Sequence, residues 1–236
     1  MTAGPALTTE VAADLAKASL ALAQRFSAGA TMWCIAPALT PHAQHIAVEF
    51  VHPVIVGKRA LPAVALTGHD LVSQTRVSAR AGDVIIAVAG AADPDVRAIM
   101  RRASAWGVTT IWIGNGERPE FGAADHILWL DNSDPQLPAT GEFVLMYHLL
   151  WELTHVCFEH PGLLTAPWPD CTEDVCITCS DEGRPGEVLA TVDRTTTSVR
   201  TAKGTETIAT DLTGPLQPGD LVLVHAGMAL SKLSDD

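Results

Sequence analysis

The 236-residue sequence has little positive charge, few cysteines and no long apolar run. Its 15 Lys and Arg stand against 27 Asp and Glu, and the formal net charge of −12 argues against binding to nucleic acid or to an anionic membrane. No apolar run has the length of a membrane span, and the first residues lack a secretory signal pattern, so we expect a cytoplasmic protein. Five cysteines are too few for a disulfide framework in a chain of this length.

The residues that are present suit two domains, since 47% are hydrophobic and only 18% are charged. We predict an α/β domain over residues 1–160, a Pro-rich linker over 161–170 and a small β domain over 171–236. In the first, helical patterns alternate with short apolar runs, which predicts a doubly wound, parallel, five-stranded sheet. The predicted strands are 31–36, 62–66, 83–89, 108–113 and 126–130, and the predicted helices are 8–26, 41–51, 93–106 and 142–160.

Beyond the linker the pattern changes to short alternating segments joined by Gly-containing turns. This indicates a small all-β module that resembles an OB-like barrel. The predicted strands are 186–192, 198–202, 205–209 and 220–226. We expect a short helix to follow at 228–233.

Two motifs lie in this module, about 35 residues apart. The first is Cys-x-x-Cys at Cys176 and Cys179, followed by Ser-Asp. The second is Gly-Asp, an apolar strand and then Val-His-Ala-Gly, with the histidine at His225. Together they resemble the HypC/HupF-type chaperones that assemble nickel–iron hydrogenases.

The resemblance implies a role in metallocentre assembly. Such chaperones carry an Fe(CN)2(CO) group, together with a HypD-type scaffold protein, to the precursor of the hydrogenase large subunit. Carried over, Cys176 matches the essential cysteine and His225 the motif histidine, with Cys179 as a second thiolate. A thiolate is a soft ligand for low-spin iron, and an imidazole at a strand end can approach the same site. One departure is that Cys176 lies inside the chain and has no free α-amino group.

Other interpretations of these residues stay open. Cys171, Cys176 and Cys179 can also form part of a zinc-binding interaction module. A thioredoxin-type redox pair fits less well, because Pro-Gly and a strand follow the motif in place of a helix. His225 alone is compatible with an ordinary histidine at a strand end.

The α/β domain resembles the SIS fold of phosphoheptose isomerases, through residues 43–49, 82–86, 107–111, 124–128 and 147–153. The resemblance implies a homodimer and a zinc or other divalent metal site. Its ligands would be His45, Glu49 and His148, with the fourth ligand position of the family near Thr140. His45 and Glu49, four residues apart on one helix, share a face. The alternative is that these three residues form only hydrogen bonds, and no role is assigned to the other histidines of the domain.

The loops that bind sugar phosphate in those isomerases differ here. After the first strand the sequence reads IAPALTP, and the second loop is VAGAAD. Phosphate needs backbone N–H groups and hydroxyls, whereas Pro removes a donor and Asp93 repels an anion. We therefore expect a non-enzymatic assembly chaperone without sugar-phosphate isomerase activity. The alternative is a metal-dependent isomerase or lyase that acts at His45, Glu49 and His148 on a non-phosphorylated ligand.

Overall fold

A computed structural model describes residues 8–130, 140–164 and 183–233. The chain forms two compact units. The first comprises Met1–Arg101 with Thr109–Ala166, and the second comprises Arg102–Val108 with Pro167–Asp236. The predicted boundaries at 160 and 171 stay a prediction, since most of the linker lies outside the described residues.

The first unit contains a parallel sheet of five strands in the order β2-β1-β3-β4-β5. This confirms the predicted α/β class and strand number. The central strand β3 is buried at all five positions, as expected for a parallel strand covered on both faces. The strands are β1 (Met32–Ile35), β2 (Ala63–Leu66), β3 (Val84–Val88), β4 (Thr109–Asn115) and β5 (His126–Leu130).

Five helices accompany this sheet: α1 (Thr9–Ser27), α2 (Thr40–Val51), α3 (Leu71–Ser78), α4 (Pro94–Trp106) and α5 (Thr140–Glu159). A 3₁₀ turn follows at Pro161–Leu163. Helix α3 was not predicted, because it is eight residues long and buries only Leu71 and Thr75, too few to set a periodic pattern. Among the described residues, no helix is both long enough and apolar enough to cross a membrane.

The strand order places a topological switch point of the sheet beside α2. The chain leaves β1 toward β2 on one side and returns to β3 on the other. In open α/β sheets, ligands bind outside the carboxyl ends of the strands at such a switch point. Helix α2 follows β1 directly after residues 36–39, and its buried face includes Ile46 and Phe50. It packs against α5, so the side chains along the edge between α2 and α5 can meet.

The second unit contains a closed five-stranded barrel, which confirms the predicted β module. Its interior is filled by Val188, Val199, Ile208, Val222 and Val224, all at most 1% exposed. The strands are β6 (Arg184–Thr191), β7 (Thr196–Thr201), β8 (Gly204–Ala209), β9 (Leu221–His225) and β10 (Met228–Lys232).

The helix expected at 228–233 is wrong, since Met228–Lys232 is the strand β10. Ala226 and Gly227 have φ angles of 48° and 77°, so both lie in the left-handed region and form a tight turn after β9. The turn folds β10 back along β9 as its antiparallel partner, and Met228 also pairs with Ala209 of β8. Local helix propensity is therefore overridden by the pairing that closes the barrel.

Candidate metal centre

Three potential ligands meet at the edge between α2 and α5. His45 and Glu49 lie one turn apart on α2, beside the stripe that the helix buries, and His148 lies on α5. Each of the three is only partly buried, with side-chain exposures of 39%, 20% and 44%. The structure thus brings together the three residues that the sequence predicted as ligands. They are also the only group of at least three His, Cys, Asp or Glu within the described ranges arranged closely enough to share an ion.

The distances between the three ligand atoms match the edges of a zinc coordination tetrahedron. His45 Nε2 lies 3.2 Å from Glu49 Oε1 and 3.3 Å from His148 Nε2. The third edge, from His148 Nε2 to Glu49 Oε1, is 3.6 Å. Zinc–ligand bonds of about 2.0–2.1 Å in tetrahedral geometry place ligand atoms about 3.4 Å apart. The donor set of two imidazoles and one carboxylate therefore fits zinc and leaves a fourth position open.

When both rings are neutral, a single ring proton must serve more than one of these contacts. If His45 carries its proton on Nε2, the same N–H must be shared between Glu49 at 3.2 Å and His148 Nε2 at 3.3 Å. If the Nε2 of His45 is unprotonated, it can accept from His148, but its lone pair then faces the Glu49 carboxylate. A cation among the three atoms removes the conflict, because every ligand then offers a lone pair.

Two further residues belong to this cluster and were missed from the sequence. The hydroxyl of Tyr147 lies 2.9 Å from His45 Nδ1, and His42 Nδ1 lies 3.3 Å from the same hydroxyl. His42 was given no role, yet it is 5% exposed and Tyr147 is 1% exposed. The available signals were the spacing of His42 and His45 on one helix face and the position of the lone tyrosine beside His148.

The surroundings disfavour the charged forms of both residues. Burial raises the pKa of Tyr147 to about 12, and the Glu49 carboxylate contributes in the same direction. Burial also lowers the pKa of His42, with a smaller contribution from the neighbouring His45. A neutral phenol both donates and accepts, and a neutral imidazole does the same through its two nitrogens. Tyr147 can therefore link the two histidines by hydrogen bonds.

Two helix N-termini at the carboxyl edge of the sheet, those of α3 and α4, carry their own carboxylates. Asp70 Oδ1 accepts from the N–H of Ser73 at the start of α3, at 3.2 Å. Asp93 Oδ1 accepts from the N–H of Val96 at the start of α4, at 3.0 Å. An anion would have to displace these carboxylates to reach the same N–H groups. At α3 and α4 the geometry therefore disfavours phosphate, whereas the N-terminus of α2 has no capping side chain and no acidic residue in its first turn.

Of the three residues predicted to bind the iron group, only His225 is among the residues that the structure describes. Cys171, Cys176 and Cys179 lie outside the described residues, and so does the side chain of Thr140 at the start of α5. His225 ends β9, is partly exposed and directly precedes the left-handed turn at Ala226 and Gly227. A non-glycine residue in that region costs about 1–2 kcal/mol, so the backbone at Ala226, next to His225, is strained.

Comparison with known proteins matches the two units to different families. Residues 182–236 match the model of the HupF/HypC family. The phosphoheptose isomerase of Nitratidesulfovibrio vulgaris is 31% identical over 148 residues, which cover 55% of this chain and 70% of that protein. The phosphoheptose isomerase of Desulfovibrio desulfuricans is 30% identical over 144 residues, covering 53% of this chain and 68% of that protein.

A solved structure agrees with the fold of the first unit. The phosphoheptose isomerase of Francisella tularensis superposes with a TM-score of 0.52 at 16% identity, covering 63% of this chain and 86% of that one. At this identity the likeness concerns the fold alone. The two family resemblances are thus confirmed. The HupF/HypC match contains the motif at His225 but begins after Cys176 and Cys179, so the assignment of those two cysteines stays a prediction.

Proposed function

We propose that this chain, which belongs to the phosphoheptose isomerase family and carries a HupF/HypC family domain over residues 182–236, delivers an iron group during hydrogenase maturation. The match to the HupF/HypC family supports the role of hydrogenase maturation chaperone at the level of that family. It is the observation that carries the proposal. The delivery step and its residues are the finer part, and they rest on the motifs.

In this proposal Cys176 and His225 hold the Fe(CN)2(CO) group as cargo, with Cys179 as a second thiolate. His225 lies within the matched residues, at the end of β9 and directly before the left-handed turn at Ala226 and Gly227. A thiolate and an imidazole suit low-spin iron. The partners are a HypD-type scaffold protein and the precursor of the hydrogenase large subunit. A homodimer formed through the SIS-like domain and a cytoplasmic location complete the proposal.

The first experiment replaces the two central residues in a strain that depends on this chain for hydrogenase activity. We expect Cys176→Ala and His225→Ala to abolish maturation while the protein still accumulates in folded form. Cys157→Ala is the matched control, because Cys157 is a buried cysteine on α5 of the first unit. Full hydrogenase activity in the Cys176→Ala strain would contradict the proposal.

Infrared spectroscopy of the chain purified without oxygen tests the cargo directly. We expect CN and CO stretching bands in the wild type and their loss in Cys176→Ala. Cys171→Ala separates this from the zinc-binding module. If the cysteines hold zinc, replacing Cys171 should release as much metal as replacing Cys176, and no CN or CO bands should be present in any variant.

The first unit has a proposed role of its own, as a divalent metal site formed by His45, Glu49 and His148. The near-tetrahedral distances support it. A bound divalent cation would supply Lewis acidity at the open position. Glu49 would lower the net charge of the site, and the two imidazoles would hold the cation at the edge between α2 and α5.

The same geometry supports a second candidate function, a metal-dependent isomerase or lyase that acts on a non-phosphorylated ligand. The two functions are separated by comparing the variant with all three ligands replaced by Ala with Cys176→Ala in the maturation assay. If the three ligands are essential and Cys176 is dispensable, the enzyme is the better interpretation. The opposite result supports the chaperone.

A further inference from the structure

We infer that Tyr147 and His42 form a positioning pair that holds His45 in the tautomer needed to bind the metal. The inference rests on the metal site proposed above and deepens it. It concerns two residues that do not themselves face the three ligand atoms. Their effect acts through the second ring nitrogen of one ligand.

The argument begins with the two nitrogens of His45. Nε2 points toward Glu49 and His148, so it must offer a lone pair if a cation lies among them. A neutral imidazole carries one proton, which must then reside on Nδ1. That Nδ1 lies 2.9 Å from the Tyr147 hydroxyl, whose oxygen can accept the N–H. The only tautomer that binds through Nε2 is therefore the one that Tyr147 can stabilise.

If the Tyr147 hydroxyl accepts from His45, its own O–H needs a separate hydrogen-bond acceptor. The hydroxyl lies 3.3 Å from His42 Nδ1, in a position buried from water. His42 and His45 are three residues apart, so both point from α2 toward the same stretch of α5. The hydrogen bonds then run in one direction, from His45 Nδ1–H to Tyr147 and from the Tyr147 hydroxyl to His42 Nδ1. The Nδ1–H of His45 and the hydroxyl of Tyr147 thus each have one acceptor.

A purely structural role would not require this arrangement. The ring of Tyr147 packs edge-on against His42 and against His45, with centroids 5.9 Å and 5.2 Å apart, and phenylalanine would keep both contacts. The hydroxyl adds only the two hydrogen bonds to the histidines. Removing a group that orients a metal-binding histidine commonly weakens metal affinity by about 10–100-fold. This distinguishes positioning from packing.

The test measures the affinity of the full-length chain for Zn²⁺ alone, by competition with a chromophoric chelator after the metal has been stripped. We expect Tyr147→Phe to weaken zinc binding by about tenfold. His42→Leu, which removes the acceptor, should have a similar effect, whereas His42→Asn, whose amide oxygen can accept in place of Nδ1, should bind zinc nearly as the wild type does. If Tyr147→Phe fails to fold, the two His42 variants carry the test.

Thr154→Val is the matched control on the same helix. Its hydroxyl is buried and donates to the Leu150 carbonyl at 2.6 Å, so the variant also loses one buried hydrogen bond, but away from the ligands. We expect Thr154→Val to lower thermal stability without changing zinc affinity. Equal zinc affinity in Tyr147→Phe and Thr154→Val would overturn the positioning role.

Nitrogen-15 NMR of the zinc-loaded chain gives a readout that does not depend on affinity. We expect the His45 proton on Nδ1 in the wild type, and a proton on Nε2 would overturn the inference. The two proposals fail in different ways. A wild type that binds no zinc removes the metal site and this inference with it. Loss of binding in Glu49→Gln together with unchanged binding in Tyr147→Phe removes the inference alone.

Discussion

Replacing Glu49 by Gln tests the metal site with the smallest change of shape. The carboxylate is the one anionic ligand of the three, and its Oε1 lies 3.2 Å from one ligand nitrogen and 3.6 Å from the other. The amide keeps the size and an oxygen but removes the charge. Because loss of an outer-shell partner already costs about 10–100-fold in affinity, loss of this direct ligand should cost about 100-fold.

The expected effect on stability follows from mass action. At a zinc concentration of about 100 times the dissociation constant, binding to the folded state adds about 2.7 kcal/mol to the free energy of unfolding. The same concentration only equals a dissociation constant raised 100-fold, and the gain falls to about 0.4 kcal/mol. For a chain of this length, about 2–4 °C per kcal/mol gives a zinc-dependent rise in the unfolding temperature of roughly 5–11 °C in the wild type and roughly 1–2 °C in Glu49→Gln.

Differential scanning calorimetry with zinc and with a chelator measures both rises. Each variant is compared with itself, so any change that the substitution makes to the metal-free protein cancels. Glu152→Gln is the matched control, because Glu152 is an exposed glutamate on α5 and loses the same charge. A full zinc-dependent rise in Glu49→Gln, or an equal loss in Glu152→Gln, would refute the assignment of Glu49 as a ligand.

Two further predictions concern the fold that holds the sites. Gly114→Ala should destabilise the first unit by about 1–3 kcal/mol or more, because the added Cβ would lie 2.3 Å from the Trp129 ring and 2.5 Å from the Ala89 carbonyl oxygen. Denaturant unfolding measures the effect, and an unchanged midpoint denaturant concentration would contradict this packing. In the barrel, hydrogen bonds from Arg184 hold the pKa of Glu206 below its usual value of 4.5. The pairing therefore stabilises the fold fully above pH 4.5, and this stabilisation is lost as the pH falls through the lower pKa of the folded state. The gap in unfolding free energy between the wild type and Glu206→Gln should therefore shrink from pH 7 toward pH 3, and a constant gap would show that the pairing contributes nothing.

The sheet was predictable because its strands are defined by their own residues. Val84–Val88 is apolar at every position and bounded by polar turns, so burial on both faces can be inferred without knowing the neighbours. The strand β10 was not predictable in this way. Met228–Lys232 has no alternating pattern, and its conformation is set by pairing with β9 across a turn that holds Ala226 at positive φ.

In the metal site, too, some residues could be predicted from local sequence and others only from contacts in the folded chain. His45 and Glu49 were inferred from spacing on one helix and from resemblance, and His148 from resemblance alone, since α5 meets α2 only in the folded chain. The roles of Tyr147 and His42 are set by distances between two helices, which no local pattern contains. The tautomer proposed for His45 likewise depends on the atoms that face its two nitrogens, and these contacts exist only in the folded chain.

The electrostatics at the carboxyl edge of the sheet bear on how the enzyme alternative must be tested. Asp70 and Asp93 cap the N-termini of α3 and α4, where they disfavour a phosphate dianion, while His45, Glu49 and His148 are arranged for a cation. Turnover of sugar phosphates is therefore a poor test of the metal site, because these two caps disfavour phosphate whether or not a metal binds. The three metal ligands must instead be judged by zinc binding and by the maturation assay. If both the triple-ligand variant and Cys176→Ala stop maturation, the first unit contributes chemistry or metal to the same process.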